Sequence, residues 1–358
     1  MKIIDWYILK KFLIAFFFIV ILFVTIICII NLTEVNDDFI KHNLKAFEIL
    51  KYYVYYAPYM ANLISPLIVF IATVFVTAKL ASHTEIVAML SSGVSFRRIM
   101  RPYFIGSSML AILTFILVGW VIPETSKFRV AFDIKYIKNP FYFEGRNIHF
   151  KVANDTYVYM ESYNNMSNIG YRFTIEKIKG TELVEKLKAE YITWQPDLNK
   201  WKVRYYEVHK FINERQELIY KGDELDTLLN LSPADFQSTY LLHEMLTLQE
   251  LNKHISDSRA RGIEKVEIFL IQKYTIFTYP FAIIILTMIG VIVSARKSRG
   301  GAGFQIALGF LIAFVYIIFV VMSRSIAQAG SMDPLIAVLL PNIIFSVIGV
   351  VMYYTVPR

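Results

Sequence analysis

Apolar residues in this chain gather into long runs, and the runs fall into two groups of three. The first group covers Phe12 to Leu32, Tyr53 to Leu80 and Tyr103 to Ile122, the last stopping at Pro123. The second covers Phe269 to Ser294, Phe304 to Val321 and Pro334 to Val356. About 20 apolar residues carry a helix across ~30 Å of hydrocarbon, so each run predicts a membrane helix. Pro58 and Pro66 lie inside the second run with Asn62 between them. Proline is tolerated there when neighbours satisfy the carbonyls its ring frees. The first run exceeds the roughly 7–15 residues of a signal-peptide core and no small-residue cleavage site follows, so it reads as an uncleaved span.

Between the two groups the period changes. Thr156-Tyr157-Val158-Tyr159-Met160 is β-branched and aromatic, and Tyr171, Phe173 and Ile175 alternate with polar neighbours. The clearest hairpin joins Ile192-Thr193-Trp194 to residues 201–205 through Pro196-Asp197-Leu198-Asn199, where proline, Asp and Asn supply turn geometry. Strands from about Phe143 to Leu231 predict a sandwich or jelly roll. A capping box at Thr247-Leu248-Gln249-Glu250 then opens a soluble helix, for which Gly262 is the natural stop. The predicted fold is therefore α-helical, six transmembrane helices arranged three plus three, with an inserted β-jellyroll-like domain. Its divisions are residues 1–123, 124–266 and 267–358.

Composition agrees: 56% of the 358 residues are hydrophobic and only 18% charged, against about a quarter charged in soluble domains. Cys28 is the one cysteine, which excludes a disulfide within the chain. The net charge of +8 is concentrated near the spans, since acids and bases nearly balance from Glu124 to Lys265. Lys2, Lys10 and Lys11 precede span one. Lys79, Arg97, Arg98 and Arg101 lie between spans two and three, and Arg296, Lys297 and Arg299 between four and five. Across the membrane, residues 33–51 set their lysines against Glu34, Asp37, Asp38 and Glu48. The positive-inside rule puts both termini in the cytoplasm and the inserted domain outside it. The same pattern argues for anionic lipid and against nucleic acid.

Enzymatic chemistry is not visible. No G-x-x-x-x-G-K-[ST] phosphate cradle occurs, and Gly300-Gly301-Ala302-Gly303 lacks the lysine. His243-Glu244 opens like a zinc motif, but Thr247 stands where the second histidine belongs. The informative loop is Ser82 to Gly93, where Ile86, Met89 and Leu90 repeat at helical spacing and Gly93 can end the turn. With Arg97 following, it reads either as a connector lying on lipid headgroups or as a coupling helix that docks on a motor through Glu85.

Taken in order, several short segments resemble the LptF/LptG (YjgP/YjgQ) family, the permeases of the lipopolysaccharide export ABC transporter. These are Ile4-Asp5-Trp6-Tyr7-Ile8-Leu9-Lys10, Ser65-Pro66, and the helix from Glu85-Ile86-Val87-Ala88-Met89 to Ser92-Gly93. Asp155-Thr156-Tyr157-Val158-Tyr159, Leu246-Thr247-Leu248-Gln249-Glu250-Leu251, Asp333-Pro334 and Leu340-Pro341-Asn342 continue the match. The opening segment is slightly more LptG-like.

The resemblance implies a bacterial inner-membrane permease that pairs with a paralogous LptF/LptG subunit. It implies a cytoplasmic LptB-type ATPase dimer beneath the pair, with ATP and Mg used by that partner and no cofactor on this chain. An LptC-type single-helix protein and an LptA-type periplasmic bridge would complete the route for lipopolysaccharide extracted from the outer leaflet. The coupling residues would be Glu85, Ile86, Met89, Leu90, Gly93 and Arg97. Spans one and five would line the gates. Phe17, Ile21 and Val24, with Phe310, Phe314 and Ile317, then either face the cavity or pack against lipid and neighbouring helices. Lys127, Arg129 and Arg324 either bind phosphate or carboxylate groups or snorkel to the interface. A well-known family member has lysines just beyond span one, where this chain reads Asn31-Leu32-Thr33-Glu34-Val35-Asn36-Asp37-Asp38. Two alternatives remain open: a permease of the same build for another lipid or a lipoprotein, and a non-transporting scaffold.

Overall fold

The computed structural model describes residues 2–137, 148–164, 167–213, 216–229, 231, 233, 241–260, 266–295 and 301–355. The basic residues Arg296, Lys297 and Arg299, the Gly262 stop and the Phe143 strand start lie outside them. The chain forms two compact units, residues 1–137, 244–251 and 267–358 in one, and 138–243 and 252–266 in the other.

The first unit is helical. Its elements are α1 (Ile3–Lys41), α2 (Ala46–Ser82), α3 (Glu85–Ser91), α4 (Phe96–Ile116) and α5 (Ile122–Phe132), then α8 (Glu267–Ser294), α9 (Gly301–Gln328) and α10 (Pro334–Thr355). Six helices among the described residues are long and apolar enough to cross a membrane, with α4 and α5 forming one continuous stretch. The most apolar stretch of α2 is 72% buried, against 11% for α1 and 22% for α9. So α2 is the central post, and α1 and α9 lean on it from outside. Ile68, Phe70, Phe12 and Tyr103 lie in the shared core. Gly106 lets α4 close on α1, since a Cβ there would come within 2.8 Å of Leu9 and Phe12 side-chain carbons.

Two prolines show how a broken ladder is repaired in a medium without water. Pro66 has no N–H for the carbonyl of Asn62, and the Tyr279 hydroxyl from α8 donates to that oxygen instead. Pro341 likewise frees the carbonyl of Ala337, which accepts from the Ser323 hydroxyl of α9. Asn342 completes the join by accepting from the Tyr316 hydroxyl at 2.8 Å and donating to the Thr278 carbonyl at 3.0 Å. Tyr279→Phe and Ser323→Ala are each expected to destabilise the unit by about 1–3 kcal/mol, because each strands a buried carbonyl. Thermal unfolding in detergent measures this, and unchanged midpoints would mean that the carbonyls find other donors.

The helix does not end at Pro123, where the apolar run stops. Residues Leu117–Val121 widen into a π turn and α5 continues as far as Phe132, with Pro123 in its first turn. The missing N–H and the bulk of the ring are absorbed by the wider turn. Span one also overshoots Leu32. Phe39 of α1, Tyr52 and Tyr56 of α2 and Phe132 of α5 form a buried aromatic cluster that holds the extensions together. Glu34 and Asp37 sit on the exposed face of that extension.

Among the described residues the second unit holds one antiparallel sheet: β1 (Ile148–Ala153), β2 (Thr156–Met160), β3 (Ser162–Asn164), β4 (Ile169–Lys179), β5 (Glu182–Gln195), β6 (Lys200–Asn213) and β7 (Gln216–Thr227). The order is β1-β2-β4-β5-β6-β7, with β3 on β4. The expected hairpin is present, with Trp194 opposite Trp201 and Asn199 in the left-handed conformation at φ 48°. Trp201 is buried and donates its indole N–H to the Leu231 carbonyl at 2.6 Å. One pair is missing from each ladder of β4–β7, along the line Arg172, Glu190, Tyr205 and Asp223, and Arg172 and Tyr205 have positive φ. The side-chain phase turns over at this crease, so Tyr171 is exposed and Phe173 buried although they are two apart.

The chain leaves the sheet through α6 (Leu242–Met245) and α7 (Leu248–Ala260). The capping box is formed: the Thr247 N–H donates to Glu250 at 2.8 Å, and the Glu250 N–H donates to the Thr247 hydroxyl oxygen at 3.4 Å.

Candidate functional site

At the end of the helical unit that carries the N-terminus, the short helix α3 joins α2 to α4. Its last turn closes in a Schellman motif: the Gly93 N–H reaches the Leu90 carbonyl at 3.0 Å and the Val94 N–H the Met89 carbonyl at 3.1 Å. Gly93 has φ +85°, which explains glycine there. Ile86 points inward and is fully buried in the helical core, with Met89 packed at its edge. Val87 and Leu90 form the exposed apolar face. Glu85 faces α1, accepting a hydrogen bond from the Tyr7 hydroxyl at 3.0 Å and lying 3.7 Å from the Lys11 ammonium. Lys11 also donates to the Tyr7 hydroxyl, and Arg98 of α4 pairs with Asp5 of α1 at 3.8 Å. Arg97 is exposed. Of the coupling residues expected from sequence, Glu85 and Ile86 thus hold α3 to its own bundle, while Leu90 and Arg97 face outward.

At the other end of the unit, the basic residues above span three meet carboxylates. Arg129 is buried, 2.6 Å from Glu244 and 3.9 Å from Asp133, and its guanidinium lies 4.0 Å from the centre of the Tyr59 ring. Tyr59 also donates to Glu244 at 3.1 Å. Lys127 reaches Glu124 at 2.8 Å and Glu250 at 3.1 Å. The Thr247 backbone N–H, followed by Lys127, holds the Glu250 carboxyl below its ordinary range. These two ion pairs clasp residues 244–250, where the chain returns to the membrane, onto α5. Both cations are therefore already engaged by acids.

Arg324 differs. It lines a cavity of about 210 Å³ with Tyr59, Asn62, Thr275, Tyr279 and Tyr316. It makes no ion pair among the described residues, and its Nε is buried without a hydrogen-bond partner among them, as are Arg129 Nε, Asn62 Oδ1 and Ser65 Oγ. Ile317 lines the same cavity. Phe17 and Ile21 of α1 and Phe310 and Phe314 of α9 are exposed on the flanks of the unit, with Val24 half-buried. Sequence reading missed Tyr7, Lys11, Glu244 and Tyr279, because the partners that give them a role, Glu85, Arg129 and the Asn62 carbonyl, lie on other helices.

This arrangement has two peripheral apolar helices, a small and mainly apolar cavity holding an arginine that makes no ion pair among the described residues, and a short helix at the opposite end. The sequence model of one family, lipopolysaccharide export system permease LptF/LptG, matches residues 6–355. The chain belongs to the LptF/LptG family. No curated protein matches it. Membership makes it a multi-pass inner-membrane permease of a lipopolysaccharide export ABC transporter, a complex with partner subunits, and the family is one of transporters rather than enzymes. The family description joins LptF and LptG and does not separate the two roles. The LptF/LptG fold fits the molecule, with six apolar helices and a seven-stranded sheet between the third and fourth.

Proposed function

We propose that this permease extracts lipopolysaccharide from the outer leaflet of the inner membrane and passes it to an LptA-type periplasmic bridge. In this reading it pairs with a paralogous subunit and an LptC-type helix, with both termini in the cytoplasm and the β domain in the periplasm. An LptB-type ATPase dimer, which uses the ATP and Mg, docks on the exposed Val87 and Leu90 face of α3. Residues 1–123 and 267–358 form the membrane path and residues 124–266 the exit. Phe17, Ile21 and Val24 of α1 and Phe310, Phe314 and Ile317 of α9 meet the acyl chains, and Arg324 meets the headgroup.

The observation that carries the reading is the tie from Glu85 to Tyr7 and Lys11. It links the short helix to α1, so that motion imposed on α3 reaches a helix with a long exposed apolar flank. Photocrosslinkers at Phe314 and Arg324 test the path. Lipopolysaccharide adducts at both positions are expected in cells, and adducts to ordinary phospholipids alone would indicate a permease for another lipid.

A further inference from the structure

Around the turn from α3 to α4, a groove of about 1410 Å³ opens between Leu90, Phe96, Met100, Phe104, Met288 and Tyr354. Arg97 and Arg101 line it, one helical turn apart on α4 and both exposed. Arg98 between them is paired with Asp5, but neither Arg97 nor Arg101 has an ion pair or hydrogen bond among the described residues. Their placement is electrostatically unfavourable. Like charges four apart repel, and Arg97 sits in the first turn, at the positive end of the helix dipole. The first turn of α4 contains no acid, and Ser95 does not cap it through its side chain. An anion is the missing partner.

The groove also has an apolar direction. Phe104 lies seven residues beyond Arg97, or about 10 Å further along the helix at ~1.5 Å per residue. It is 53% exposed, and Ile105, Met109 and Ile112 continue the exposed apolar surface of α4 into the spanning stretch. A free phosphate would use the arginines and leave the rest bare. An acidic protein segment would satisfy the arginines but would leave the exposed apolar surface from Phe104 to Ile112, within the spanning helix, unused. A molecule with an anionic head and an acyl tail fits both parts.

We propose that this groove holds one anionic glycerophospholipid, its phosphate between Arg97 and Arg101 and one acyl chain along Met100 and Phe104. The site is separate from the lipopolysaccharide path and requires only that the chain spans a membrane. It stiffens the junction between α3 and the bundle by neutralising the α4 terminus.

Native mass spectrometry of the purified complex, titrated with phosphatidylglycerol or phosphatidylcholine, tests the site. One phosphatidylglycerol per chain should bind at least tenfold more tightly than phosphatidylcholine. The R97A/R101A pair should lose that preference, R97K/R101K should keep it, and Phe104→Ser should weaken retention severalfold. Millimolar inorganic phosphate should not displace the lipid. Unchanged phosphatidylglycerol occupancy in R97A/R101A would overturn the proposal. So would full displacement by phosphate, which marks a free-anion site, or intact lipid binding with loss of a protein subunit, which marks a protein contact. If R97A/R101A does not fold, Phe104→Ser and the lysine pair decide: unaltered retention in the former or lost binding in the latter overturns the proposal.

Discussion

Alanine at Glu85 is expected to cut lipopolysaccharide export about tenfold or more while the permease still inserts and folds. The carboxylate accepts a hydrogen bond from Tyr7 and faces Lys11, both on α1. A hydrogen bond to a charged group contributes about 1.5–3 kcal/mol, and the half-exposed ion pair adds little. Losing roughly 1.4 kcal/mol of coupling already corresponds to a factor of about ten. Folding should survive because Ile86, buried in the core, still anchors α3. Tyr7→Phe should reproduce part of the defect without touching the exposed face of the helix. That comparison separates transmission from docking, since loss through docking alone would leave Tyr7→Phe at full activity. Export is measured as lipopolysaccharide arriving at the cell surface, with membrane levels of the variant as control. Full export by Glu85→Ala would remove the case for α3 as the coupling element.

Arg129→Ala is expected to be the most destabilising single change in the helical unit, costing about 3–5 kcal/mol. Removing the guanidinium leaves Glu244 and Asp133 as charges with limited access to water, at 16% and 12% side-chain exposure. Removing both charges of the closest pair should do much less harm, because a buried ion pair replaced by apolar or neutral groups of similar size is often close to neutral. Arg129→Met with Glu244→Gln should therefore recover most of the unfolding midpoint lost by Arg129→Ala. If the single variant unfolds within about 0.5 kcal/mol of the natural protein, the pair behaves like a surface bridge. Arg129 would then be available to a lipid headgroup.

Local features were legible in the sequence and distant pairings were not. The Thr247–Glu250 box and the Gly93 stop need only neighbouring residues, and both formed as expected. The six spans were readable because an apolar run of that length has no alternative to lipid. Beyond Leu32 and Pro123 the same helices turn polar, and what keeps them helical is an aromatic cluster drawn from three helices, which no single run displays. Pro66 announced a freed carbonyl, but its donor, Tyr279, lies 217 residues from Asn62. Arg129 read as a possible headgroup contact because its partner Glu244 is 115 residues away. The helical period in the 86–90 stretch was correct, but period alone does not say which side faces the bundle, and Ile86 turned inward.

The mass of the native complex with its bound lipid is the most direct measure of whether this permease works as half of a lipid-extracting pore without its own motor. The expected mass contains this chain, one paralogous permease, one LptC-type single-helix protein, two copies of an ATP-binding-cassette subunit and a lipopolysaccharide molecule. A complex extracted from native membranes with no ATP-binding-cassette subunit would contradict that account.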